Sequence, residues 1–379
     1  MRNYTVTSVW GIPIRISISL VVFLPILAWL IGSGGQITVY SGVIESIGGG
    51  PFNVEALQSG SMPWVIGVLA AVGLFISVTL HELGHSWVAL RYGLTIESIT
   101  LWILGGIAAL SSIPREWNRE FWIAIAGPIT SVLVAGGCYL IMLVIPQGFP
   151  VLTFVFGWLA IVNLTLVAFN LLPAFPMDGG RILRALLARS RPYGSATRIA
   201  GRIGVIFAIL FAVVGVLGFN VILILLAFFI YGAATTESRT VLLDELLEGI
   251  TIGDIMTRDP RTVDGDLSVA KLAERMLRDR QTVYPVTDES GQIIGVATLA
   301  DIRDLARDKR ETTTVRSVMH EAPQLEGTAD AFDTLAMLQQ LGSPVALVVE
   351  RESLAGVLSQ EDYARAFSLQ REFQAGVPR

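Results

Sequence analysis

Six long apolar runs leave this chain few folds to choose from. They fall at 16–31, 63–90, 121–145, 151–172, 199–217 and 219–234, each near the roughly 20 residues that a helix needs to cross a bilayer. Composition agrees: 53% of the 379 residues are hydrophobic and mean hydropathy is +0.62, values typical of a membrane protein. The first run follows Arg2 and Arg15 with no small-residue cleavage site, so it is expected to stay as a membrane anchor.

The arginines orient these spans. Arg2 and Arg15 precede the first run, Arg91, Arg115 and Arg119 separate the second from the third, and Arg181, Arg184, Arg189, Arg191, Arg198 and Arg202 lie between the fourth and fifth. The alternate connections, 32–62, 146–150 and the one around Gly218, contain no Lys or Arg. By the positive-inside rule the chain is a multi-pass protein of the cell membrane with cytoplasmic N- and C-termini. A formal charge of -5 without a large basic face excludes nucleic acid as a general partner. The single cysteine, Cys138, excludes an intrachain disulfide and reads as a small core residue. The stretch 32–62 carries no further signal.

Within the second run stands His81-Glu82-Leu83-Gly84-His85. Ionisable side chains are costly at membrane depth and mark function there. On a helix, histidines four residues apart project from one face and can grip one metal ion, with Glu82 beside them as general base for an attacking water. This is the pattern of a zinc hydrolase. Chance pairing is improbable in a chain with only three histidines, and a purely structural metal would not need Glu82. His85 lies a few residues before Arg91, which puts the site about 10 Å inside the cytoplasmic boundary at 1.5 Å per helical residue.

Elimination narrows the third ligand. His320 belongs to the charged C-terminal region and Cys138 has no polar neighbours in sequence, so a carboxylate must serve. Glu45 and Glu55 fall on the wrong side, and Glu97, Glu116 and Glu120 read as solvated or interfacial charges of the arginine-bearing loop. Asp178 remains. The fourth run ends in Asn170-Leu171-Leu172-Pro173-Ala174-Phe175-Pro176-Met177-Asp178-Gly179-Gly180-Arg181, where two prolines must break the helix and leave a polar turn at membrane depth. Asn170 is a candidate donor to a tetrahedral oxyanion, with Asn163 the weaker one; an interhelical packing bond is the alternative for both. Gly179-Gly180 reads as close packing of the broken helix.

Residues 99–110 are apolar, too short to span again, and centred on Gly105-Gly106. They are expected to form a short hairpin re-entering the membrane edge, where the glycines either let an extended peptide pair with the strand or simply make a tight turn.

After Thr236 charged residues become frequent, dividing the chain into a membrane domain, 1–240, and a cytosolic domain, 241–379. The latter holds an internal repeat, about 252–308 and 315–371, each copy running from a segment ending in Met256 or Met319 to a Gly-x-x-Thr/Ser-x-x-Asp stretch ending in Asp301 or Asp362. The two methionines read as core residues. The expected architecture is an all-α polytopic membrane domain of six transmembrane helices with a short re-entrant β-hairpin, followed by a small α/β domain of two packed units.

Together, HELGH at 81–85, Gly105-Gly106-Ile107-Ala108, Ala126-Gly127-Pro128 and the 170–181 stretch resemble the site-2 protease family of intramembrane zinc metalloproteases, in the subgroup with a C-terminal pair of cystathionine-β-synthase-type (CBS) domains. The resemblance covers nearly the whole chain. It implies one zinc per chain held by His81, His85 and Asp178, a catalytic Glu82, and a single-span membrane protein cut within or beside its helix. The resemblance to tandem CBS domains implies ATP or AMP as a regulatory ligand, with Thr298 and Ser359 facing phosphate and Asp301 and Asp362 facing ribose, or a homodimer through the same domains. The competing reading is a CBS-gated transporter or channel, against which the membrane half shows no internal repeat and HELGH would be surplus. A catalytically silent scaffold is disfavoured by the intact Glu82.

Overall fold

The computed structural model describes residues 3–103, 105–110, 115–351 and 353–375. Two compact units divide the chain, Met1–Arg239 and Thr240–Arg379.

The first unit opens with two antiparallel strands, β1 (Asn3–Val9) and β2 (Ile12–Ser17). The apolar run expected to begin a span at residue 16 therefore gives its first residues to a strand. Ile12 and Ile14 alternate onto a buried face, the period of a half-buried strand. Ser17 accepts a hydrogen bond from the Leu20 N–H and caps α1 (Ile18–Ile31), which sets the helix start. A 66° bend leads into α2 (Gly34–Ser46), followed by the one-turn α3 (Val54–Leu57). The stretch that carried no signal is thus largely helical. It buries Ile37, Ile44 and Leu57 in one core with Ile66, Phe154 and Trp158.

Next comes α4 (Met62–Arg91), with Pro63 in its first turn where a missing N–H costs nothing. Strands β3 (Ile96–Trp102) and β4 (Gly105–Leu110) form the expected hairpin, three residues longer at its start than the apolar pattern suggested. It is not isolated: β2 pairs parallel with β3, giving a four-stranded sheet ordered β1-β2-β3-β4. Ile12, Ile14, Ile99 and Leu101 pack this sheet on Val78 and Leu83 of α4, which brings β4 to HELGH.

Helices α5 (Trp117–Val144) and α6 (Pro150–Asn170) follow, then the broken segment, α7 (Asp178–Ala188), α8 (Tyr193–Leu217) and α9 (Val221–Leu247). Among the described residues five helices, α4, α5, α6, α8 and α9, are long and apolar enough to cross a membrane, and up to six spans result if α1 and α2 count as one bent span. The unit is apolar on the outside: Leu133, Leu140, Val144, Leu217, Ile222 and Phe228 are all exposed. Its helix contacts use small residues such as Ala70, Ala71, Ala124, Ala160 and Ala200. Close packing of small residues beneath a greasy outer face is how helices associate in lipid, where no hydrophobic effect drives them together.

In the second unit β6 (Val263–Asp264), β7 (Val283–Thr287) and β8 (Ile293–Thr298) make one sheet, while β5 (Thr257–Arg258), β11 (Ser353–Ser359), β10 (Val345–Glu350) and β9 (Gln324–Glu326) make the other. Helices α10 (Ile252–Ile255), α11 (Val269–Asp279), α12 (Leu299–Arg303), α13 (Val315–Val318), α14 (Ala331–Leu341) and α15 (Gln360–Ala375) cover them. The copies exchange their leading segments. β5, near the start of the first copy, pairs with β11 of the second, and His320, near the start of the second, bridges Val296 of the first. Ile252 and Met256 accordingly sit in the core of the second copy, and Val315 in that of the first. Val283, Val296, Val345, Leu347 and Val357 join the two sheets.

Candidate metal centre

His81 and His85 lie one turn apart on the same face of α4, and both are buried. Asp178 is the first residue of α7, a position where a carboxylate is stabilised by the helix dipole. Among the described residues these are the one group of three His, Cys, Asp or Glu side chains whose ligand atoms all lie within 4.8 Å of one another. His81 Nε2 is 3.2 Å from Asp178 Oδ2, His85 Nε2 is 3.2 Å from the same oxygen, and the two nitrogens are 3.1 Å apart.

Protons decide what this triangle is for. His85 Nδ1 lies 2.6 Å from the Ile123 carbonyl oxygen, which can only accept, so Nδ1 carries the proton and Nε2 of the neutral ring turns a lone pair inward. Ser131 Oγ, 2.9 Å from His81 Nδ1, can accept as well as donate; when it accepts, His81 Nε2 also turns a lone pair inward. Two nitrogen lone pairs and a carboxylate oxygen then meet in a buried place with no donor among them, an arrangement that needs a cation. Zinc held tetrahedrally at roughly 2.0–2.1 Å keeps its ligand atoms about 3.3–3.4 Å apart, close to the triangle observed. Three protein ligands leave a fourth position open, as in catalytic rather than structural zinc sites. The residues present fit the metal.

Helix α5 forms the floor. Gly127 is required there: a Cβ at this position would run into His85 Nε2 and His81 Nε2. Gly106 plays the matching part on β4, since a Cβ there would collide with Glu82 Cγ and lie 2.9 Å from its Oε1. Its backbone therefore passes directly against the Glu82 carboxylate. Gly105 opens β4 in the left-handed half of φ space, at +133°, as a tight turn requires, and the close approach at Gly106 is to Glu82 of the same chain. Among the described residues no strand pairs with the other side of β4, and a free strand edge is a template for a further extended chain.

The asparagines part ways. Asn163 Nδ2 donates to Ser77 Oγ at 3.1 Å and to Leu159 O at 2.8 Å, so it ties α6 to α4 and takes the packing role. Asn170 is half-buried at the last residue of α6. Gly179 and Gly180 let the first turn of α7 press on the 171–175 backbone, the packing role expected of them. Glu120 is a correction. It is not a solvated charge but is 4% exposed, bonded to Arg184 of α7, which is 1% exposed.

Sequence reasoning passed over Ser131, the Ile123 carbonyl and the purpose of Gly127. One signal was available: Glu120, Ile123, Gly127 and Ser131 recur at spacings of three, four and four on α5, a single helical face.

In the second unit Thr298 N–H and Oγ1 both bond Asp301 Oδ2 at 2.7 Å, and Ser359 N–H and Oγ bond Asp362 Oδ2 at 2.8 and 2.7 Å. Each hydroxyl and carboxylate pair begins a helix, α12 and α15, and Thr298 with Asp301 forms a reciprocal capping box. Asp362 is further engaged by Thr257 Oγ1 at 2.7 Å, whereas the second contact of Asp301 is the more distant His320 Nδ1 at 3.4 Å.

The peptidase family M50 model matches residues 69–153 and 149–211, and the CBS domain model matches 252–308. A zinc metalloprotease of Methanocaldococcus jannaschii is 34% identical over 376 residues, 97% of each chain. The Rip3 protein of Mycobacterium tuberculosis is 35% identical over 329 residues, 81% of this chain and 82% of that one. A solved site-2 protease from Methanocaldococcus jannaschii is 36% identical and covers 63% of this chain and 96% of its own, with a TM-score of 0.43.

Proposed function

This chain belongs to the site-2 protease family, peptidase family M50, as a zinc metalloprotease bearing CBS domains, and on that premise we propose that it hydrolyses a single-span, membrane-anchored regulatory protein within or beside its transmembrane helix. The observation that carries this reading is the buried convergence of His81, His85 and Asp178 with Glu82 against the open edge of β4.

His81, His85 and Asp178 would hold the metal through two nitrogens and one oxygen, the two rings oriented by Ser131 and the Ile123 carbonyl. Zinc bound there supplies Lewis acidity toward the scissile carbonyl and the attacking water. Glu82 takes a proton from that water as it attacks and delivers it to the departing amine as the C–N bond breaks. The edge of β4 pairs with the substrate, which must be extended to offer its own N–H and C=O groups, so the helix to be cut unwinds at the site. Asn170 is the donor assigned to the developing oxyanion.

The arginine distribution supports six spans, with α1 and α2 counted as one, and both termini cytoplasmic, while the short apolar stretch 99–110, paired as β3–β4, supports a re-entrant hairpin. A membrane domain of 1–240 is then joined to a cytosolic CBS domain of 241–379 that binds ATP or AMP and serves as a dimer contact. Thr298 and Asp301 are the better placed nucleotide pair, because the Asp301 side chain is 22% exposed and that of Asp362 is 2% exposed.

The test is cleavage of a single-span reporter by full-length protein in proteoliposomes. Glu82→Gln and Asp178→Asn should each lower the rate by at least about a hundredfold; full cleavage by either variant defeats the assignment. For the nucleotide, calorimetry on the full chain should show ATP or AMP binding, and no heat at millimolar nucleotide removes that part.

A further inference from the structure

The metal ligands come from two helices of unequal security. α4 is a long span that carries its histidines near its C-terminal end, whereas α7 has eleven residues and follows a segment broken at Pro173 and Pro176. Continuity with α6 cannot set the position of Asp178, so tertiary contacts must. Six residues beyond Asp178, about 9 Å along the helix, Arg184 is the largest fully buried side chain among the described residues, and no step of the proposed hydrolysis uses it.

Its surroundings are built. Arg184 Nε donates to Glu120 Oε1 at 2.7 Å and Nη2 reaches the same oxygen at 2.5 Å. Nη1 donates to Glu237 Oε1 of α9 at 2.7 Å. Phe175, in the broken segment, and Tyr193, at the start of α8, place their rings 5.0 and 4.9 Å from the guanidinium carbon, within cation–π range. One side chain thus ties α7 to α5, α8, α9 and the 171–177 connection.

At 100° per residue, six residues turn Arg184 about 120° away from Asp178 around the helix. Two anchors at different heights and azimuths fix both rotation and translation of a short rod. Glu120, which receives Arg184, lies one turn before Ile123, whose carbonyl orients His85, so α5 references both halves of the ligand set.

We infer that Arg184 is a positioning residue for the metal: locked between Glu120 and Glu237, it sets the rotation and height of α7 and thereby holds the Asp178 carboxylate at the two histidines. The inference rests on the zinc reading above. A planar fork is needed because two carboxylates on different helices must be bridged from one side chain. Lysine keeps the charge but cannot make this bridge, so Arg184→Lys separates positioning from simple charge balance.

The experiment is zinc affinity, by competition with a chelator, together with the visible spectrum of the cobalt(II)-substituted protein, on the full chain purified in detergent. Arg184→Lys is expected to weaken zinc binding ten- to a hundredfold, the range for loss of an outer partner of a metal ligand, and to alter the cobalt bands while chromatography still shows folded protein. Glu237→Gln, which removes only the partly exposed partner, is expected to weaken binding at least threefold, and it decides the matter if Arg184→Lys does not fold. In an Asp178→Ala background Arg184→Lys should cost nothing further, because its effect runs through Asp178. Wild-type affinity and spectrum in the folded variants, or a full additional loss in that background, overturns the inference. Absence of zinc binding by the wild type, or unchanged affinity in Asp178→Ala, defeats the zinc reading itself.

Discussion

The metal centre and the CBS caps each set a carboxylate against a short-spaced motif, histidines four apart in the one and a hydroxyl three residues before its aspartate in the other, yet they behave in opposite ways. At α12 and α15 donors and acceptors balance: each hydroxyl and amide meets the carboxylate three residues on, and each helix start is closed from within the chain. At the metal centre acceptors meet acceptors once the Ile123 carbonyl and the Ser131 hydroxyl take the protons of the outer ring nitrogens. A cluster that satisfies itself stands without a ligand and can still present an exposed group to one, as at the Asp301 side chain; a cluster left with lone pairs facing one another needs a cation. Spacing alone does not separate the two cases.

The largest effect is expected at Glu82. Glu82→Gln should keep one zinc per chain while lowering reporter cleavage by roughly 10²–10⁴-fold, the usual worth of a general acid and base; loss of zinc together with cleavage would make Glu82 a ligand instead. Gly127→Ala comes next. Its Cβ occupies the space of the two Nε2 atoms, so zinc affinity should fall by more than tenfold in a chelator titration. Ser131→Ala leaves the His81 ring free to turn, and about a tenfold loss of zinc affinity is expected. On the other side of the comparison, Thr298→Ala and Ser359→Ala should each cost about 1 kcal/mol of stability, as for a lost helix cap, read from the unfolding of the second unit in denaturant. A cost near zero would mean that the hydroxyls are held for a ligand rather than for the helix.

Much of the site was legible because its chemistry is local or was forced by scarcity. The two histidines of HELGH share one helical face, and with only three histidines and one cysteine in the chain, elimination could reach Asp178 before any geometry was known. What escaped was set at long range. The parallel pairing of β2 with β3, Ile14 opposite Ile99, depends on segments far apart in sequence, so the first strands were absorbed into an apolar run that reads as helix. Glu120 looked solvated because its partner Arg184 lies 64 positions away, among arginines whose number pointed to membrane orientation rather than to burial. The CBS repeat was visible as a period, but a period does not reveal that each leading segment packs into the other copy. Likewise Thr298 with Asp301 fits a ligand pattern and a capping box equally well, and only bond partners distinguish them.

The central claim is that two histidines of α4 and the first residue of α7 share one zinc. Metal analysis of the purified full chain tests it most directly, comparing wild type, Glu82→Gln and Asp178→Ala after dialysis against a weak chelator. One zinc per chain in the first two and its loss in the third is the expected result; Asp178→Ala retaining zinc as tightly as the wild type would contradict the account.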